Sequence, residues 1–131
     1  MSQPWVPDAG QAVRLLGFWA SPGSDGLPDP AVLVDAGWDE AERQWVADYL
    51  ERGQVAASYM GGSRCRLCAR LNGSRDLTDG AYLWPEGLAH YVLEHAVRLP
   101  AEFLAHIERR LERLGELERD GLWWRSNAKL I

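Results

Sequence analysis

Two cysteines and two histidines carry the most specific chemical signal in this chain. Cys65 and Cys68 form C-x2-C, His90 and His95 form H-x4-H, and the full pattern is C-x2-C-x21-H-x4-H. Two thiolates spaced by two residues reach one ion from a single turn. Two imidazoles complete the tetrahedron of soft and borderline donors that zinc prefers. The expected order is knuckle, hairpin, helix, broadly that of a zinc finger. The gap between the pairs is longer than the ~12–15 residues usual in such fingers. Without a metal, the cysteines would be small buried apolar residues, His95 a core histidine and His90 a surface one.

Helical geometry constrains the pair. Leu88, Tyr91, Val92, His95, Ala96 and Leu99 share one face at helical periodicity, so His95 points inward. His90 lies five positions earlier, about 140° around the helix. Both reach one ion only if the helix end distorts or the helix starts late. Asp79 or water is the alternative donor in place of one histidine.

Other chemistries fit less well. A redox C-x2-C sits at a helix N-terminus, where the dipole favours thiolate. Here Arg64, Arg66 and Arg70 offer that charge, but Asn72-Gly73 ends the segment before a helix can grow. His90 to His95 misses the H-x-x-E-H metalloprotease spacing by one residue. No phosphate-binding glycine loop and no G-x-S-x-G elbow occurs. No catalytic residue is assigned.

The stretch from Ser63 to Pro100, with its cysteine pair, Trp84-Pro85-Glu86-Gly87-Leu88 and His90-Tyr91, resembles a block found in small bacterial proteins of no assigned activity. The resemblance covers 38 of 131 residues. It implies a compact site at Cys65, Cys68, His90 and His95 and no mechanism.

Several elements must position these residues. Residues 1–10 are rich in Pro and Gly and read as irregular surface, 11–19 as a strand, and 20–31 as a loop. Asp39 with Glu42 resembles a capping box, which predicts a helix over 39–52 with Trp45, Val46, Tyr49 and Leu50 inward. Residues 54–60 read as a strand. Arg64–Leu71 and Asp76–Trp84 read as two strands around Asn72-Gly73-Ser74, with Thr78-Asp79-Gly80 as a competing turn. Pro85 opens a helix to about Arg98. A third helix follows Pro100 to about Asp120, striped by Leu104, Ile107, Leu111 and Leu114. The 121–131 tail reads as extended.

A length of 131 residues suits a single domain over 1–131, with 63–100 as a zinc-finger-like unit. Apolar residues at 47% and charged residues at 25% exclude disorder. No apolar run is long enough for a membrane span, and MSQPWVPDAG lacks a secretion pattern, so a cytoplasmic protein is expected. The net charge of −5 disfavours general nucleic-acid attraction. Residues 63–75 run against it with four arginines and no acid. Thirteen of fourteen basic residues are Arg, which a GC-rich genome produces without selection for a patch.

The predicted fold is α+β, a small antiparallel sheet or hairpin packed by about three helices with Zn2+ as a stabilising ion. The expected function is a non-enzymatic module that binds another protein, as adaptor or inhibitor. Of the seven tryptophans, Trp45 and Trp84 are assigned to the core, and the consecutive Trp123 and Trp124 to the partner surface. The alternatives are a nucleic-acid binder using Arg64, Arg66, Arg70 and Arg75 beside Tyr82 and Trp84, and a thiol redox protein.

Overall fold

A computed structural model describes residues 12–23 and 26–129. The irregular surface expected over 1–10 and the last two aliphatics lie outside the described residues. The elements are β1 (Arg14–Leu15), a 3-10 turn (Pro30–Leu33), α1 (Glu40–Glu51), β2 (Gln54–Ser58), β3 (Arg75–Thr78), β4 (Tyr82–Pro85), α2 (Leu88–His95), α3 (Ala101–Gly115) and α4 (Gly121–Asn127). The α+β class is as expected. The sheet order is β1-β4-β3-β2, antiparallel except that β1 runs parallel to β4. It is therefore mixed, and four α-helices stand among the described residues where about three were expected.

Helix α1 starts where the cap chemistry places it. The Asp39 carboxylate accepts from the Glu42 N–H at 2.9 Å, satisfying one orphan donor of the first turn. Val46, Ala47 and Leu50 are buried. Trp45 is only partly buried, and Trp38 takes a core place beside Trp84. Gly53 ends the helix for a steric reason: a Cβ there would sit 2.8 Å from the Trp84 ring and 3.0 Å from Leu77. The Trp84 indole N–H donates to the Leu50 carbonyl at 3.1 Å, so the buried ring keeps its polar edge satisfied.

The hairpin differs from its expected place. The competing turn wins: β3 and β4 pair across Asp79-Gly80, with Leu77 opposite Trp84. Thr78 and Asp79 side chains accept from the backbone of Gly80, Ala81 and Tyr82 and hold that turn. Arg64–Leu71 is then free to close on itself, with a single bridge between Arg64 and Leu71. Of the strand expected over 11–19, the described residues 12–19 form only the two-residue β1.

The junction of β4 and α2 is packed residue by residue. Trp84 and Leu88 are fully buried. Glu86 accepts from the Ser74 N–H at 2.6 Å and from Arg75 at 2.8 Å. The Ser74 bond is foremost in holding its carboxyl below the usual range, against the opposing effect of burial. A Cβ on Gly87 would lie 2.3 Å from the Asn72 carbonyl oxygen, so only glycine lets the 72–74 turn rest on this junction.

Helix α2 ends at His95, three residues sooner than expected. Ala96 adopts φ 51°, and its N–H and that of Val97 both bond the Tyr91 carbonyl, a left-handed C-terminal cap. Helix α3 ends at Gly115, and its buried residues are Phe103, His106 and Ile107. Leu111 and Leu114 are exposed, because the second half of α3 runs past the core. The tail is not extended: the Asp120 carboxylate accepts from the Trp123 N–H at 3.1 Å and caps α4. No described helix is long and apolar enough to cross a membrane.

Candidate metal centre

The segment from Arg64 to Leu71 is a tight knuckle. The Cys65 N–H bonds the Arg70 carbonyl at 2.9 Å, and the Ala69 N–H bonds the Cys65 carbonyl at 2.8 Å. Ala69 has φ 63°, a left-handed conformation that costs a residue with a Cβ about 1–2 kcal/mol. The chain accepts that strain one residue after Cys68, where the reversal turns both sulfurs to one side. The Leu67 N–H lies 3.4 Å from the Cys65 Sγ. Cys65 is buried and Cys68 exposed, and both thiols are free.

Helix α2 faces this knuckle. Tyr91 fastens the two, its hydroxyl accepting from the Arg66 N–H at 2.7 Å. One donor atom from each of Cys65, Cys68, His90 and His95 lies within 4.8 Å of every other. The Cys68 Sγ and His90 Nε2 are 3.3 Å apart. The two imidazole centroids are 5.0 Å apart at 81°. Both histidines lie within α2, so the angular separation expected around the helix is bridged by the side chains, whose rings lean together. The four residues form a site able to hold a metal ion.

Two observations bear on what the site lacks. His95 Nε2 is buried without a hydrogen-bond partner. Such an atom costs about 1–3 kcal/mol, and a cation in the cluster supplies the missing partner. Burial, then the nearby His95, lowers the His90 pKa, the direction that favours the neutral form a ligand uses.

Asp79 is not an alternative donor for this site. Its Oδ2 accepts from the Tyr49 hydroxyl at 2.5 Å and lies 2.8 Å from His106 Nε2, and its Oδ1 accepts from the Ala81 and Tyr82 N–H groups. Burial alone would raise this carboxyl, but the bonds from Tyr49, Tyr82, His106 and Ala81 together hold it below its ordinary value. Tyr49 is shifted up, by burial first and then by the Asp79 carboxylate. This buried trio ties the β3–β4 turn to α1 and α3. Sequence reading missed His106, although Phe103 and Ile107 flank it on the same helical stripe.

The other predicted positions separate. Arg64, Arg66 and Arg75 line one cavity of about 500 Å³, and Arg70 is not among its lining residues. Tyr82 and Trp84 are buried in the core and cannot stack on bases beside those arginines. Trp123 and Trp124 lie on α4 and are 63% and 64% exposed. A helix sets them about 100° apart instead of on opposite faces. Neither cysteine lies in a helix, so the dipole arrangement of a redox C-x2-C is absent from the knuckle. No family model, curated protein or solved structure matches the chain.

Proposed function

We propose that the cluster is a structural zinc site and that the chain is a non-enzymatic cytoplasmic module that binds another protein, as adaptor or inhibitor. The convergence of four donors on one point, with His95 Nε2 left unpartnered, carries the zinc reading. Zinc bonds of ~2.0–2.3 Å imply tetrahedral edges of roughly 3.4–3.8 Å, so a contraction of about 1 Å at the widest pair completes the site. Two thiolates with two imidazoles favour zinc over hard cations, which select oxygen. With all four positions filled by protein, no open position is left for a substrate, as in structural sites.

Protein purified without added metal should carry about one zinc per chain by elemental analysis, with two sulfur and two nitrogen ligands by X-ray absorption. Less than a tenth of an equivalent, with no uptake on adding zinc, rejects the reading.

The interaction surface rests on a separate observation. Leu111, Leu114, Leu117, Leu122, Trp123 and Trp124 are all exposed along the end of α3 and α4. Large aromatics open to solvent mark protein contact sites. Replacing Trp123 and Trp124 with Ala should leave the melting temperature unchanged, because exposed positions away from caps and core shift stability by under about 0.5 kcal/mol. The same variant should lose capture of its protein partner. A substantial loss of stability would instead show the indoles to be packing residues.

A further inference from the structure

The cavity lined by Arg64, Arg66 and Arg75 combines positive charge with aromatic walls in an acidic protein. Phe18 and Trp19 come from the segment after β1, Tyr59 from the end of β2, and Tyr91 from α2. Glycines at 17, 61, 62, 73 and 87 bring backbone to the same space. Its volume of about 500 Å³ lies within the ~300–1,000 Å³ range of small-ligand sites.

Among the described residues its charge is neutralised only in part. The Arg64 guanidinium donates to the Ala69 carbonyl at 3.0 Å, and that of Arg66 to the Ala20 carbonyl. Both partners are neutral. Arg75 pairs with Glu86, and Asp76 is the one acid on the wall, its carboxylate accepting from the Tyr59 hydroxyl at 2.7 Å. A concave, low-dielectric surface with surplus positive charge concentrates anions. The aromatic components call for more than a bare anion. Trp19 meets Tyr91 edge-on at 5.3 Å, and the Trp19 indole N–H is buried without a partner.

We propose that this cavity binds a small organic anion carrying a planar ring, of mononucleotide size, with Arg64 and Arg66 on its anionic group and Tyr59 and Trp19 against its ring. A nucleic-acid strand is less favoured, since the cavity admits one unit and the body around it is acidic. The knuckle forms one wall, and Tyr91 reaches from that wall to the metal ligands on its own helix, but the proposal stands whether or not zinc is the ion.

The test is calorimetry on the full-length protein as purified, at low salt. The probes are adenosine and guanosine monophosphates, phenyl phosphate, inorganic phosphate and a ten-nucleotide single-stranded RNA. At least one ring-bearing probe should saturate a single site and bind at least about tenfold more tightly than inorganic phosphate. Arg64→Gln with Arg66→Gln should weaken it at least about tenfold, the loss of roughly one charge-assisted bond. Because Arg66 also holds Ala20, Tyr59→Ala serves as a second variant at an exposed side chain and should weaken the ring-bearing probe while leaving phosphate unchanged. No saturable binding at millimolar probe, binding indifferent to both variants, or phosphate binding as tightly as the ring-bearing probes overturns the proposal. RNA binding more than tenfold tighter than any mononucleotide overturns it in favour of a strand.

Discussion

Dialysed against a strong chelator, the protein should melt more than about 10 °C lower than when zinc-loaded. Structural zinc in small fingers contributes apparent free energies of ~10–16 kcal/mol. Even about 3 kcal/mol gives such a shift for a chain of this size. The reason is specific to this fold: beside the Tyr91 contact and the packing of Cys65 and Leu67 on the core, the four candidate ligands would tie the knuckle to α2. Single variants separate ligation from packing. Cys68 is exposed, so as an ordinary surface residue Cys68→Ala should be nearly neutral, within about 0.5 kcal/mol. As a zinc ligand, its loss should lower metal content and melting temperature together. His90→Ala should behave like Cys68→Ala. A wild-type melting profile and full zinc content in both variants, or no response to the chelator, would remove the metal from the account of the fold.

Asp79→Ala should destabilise the protein by about 3–5 kcal/mol in urea unfolding. Removing one member of a buried, hydrogen-bonded set leaves its partners desolvated and unpaired. Here those partners are the Tyr49 hydroxyl, His106 Nε2 and the N–H groups of Ala81 and Tyr82. The effect should depend on pH with a definite sign. The folded-state pKa of Asp79 is lowered, so the stabilisation it supplies is fully present above its unfolded value near ~3.9. It is lost as the pH falls through the folded value. The stability difference between wild type and Asp79→Ala should therefore shrink as the pH falls below about 4. A loss under 1 kcal/mol, or a difference that grows in acid, would show that the trio does not bind the turn to α1 and α3.

The sequence by itself determined the elements whose signals are local. Asp39 with Glu42 located the start of α1, because capping involves residues a few positions apart, and Gly53 marked its end, although the contacts that exclude a Cβ there come from distant Trp84 and Leu77. The four candidate donors were equally legible, since thiol and imidazole side chains at such short spacing are a recognisable donor pattern. What the sequence left open were choices between turns and between packing partners. Asn72-Gly73-Ser74 and Thr78-Asp79-Gly80 are both adequate turns locally. The second closes the hairpin because Leu77 and Trp84 then bury together and Asp79 meets Tyr49 and His106 from distant helices.

Tertiary structure also decided the histidines. A regular helix holds His90 and His95 about 140° apart. Both stay within α2, and their rings nevertheless approach to 5.0 Å where the helix faces the knuckle. That approach is not visible in the spacing of the histidines. The cavity beside the knuckle was hidden for the same reason. Trp19, Tyr59 and Tyr91 are far apart in sequence and share a cavity only once β2, the knuckle and α2 have packed. The exposed run of α3 and α4 shows the opposite limit. Its periodicity predicts a buried stripe, but burial needs something to pack against, and the core ends near Ile107.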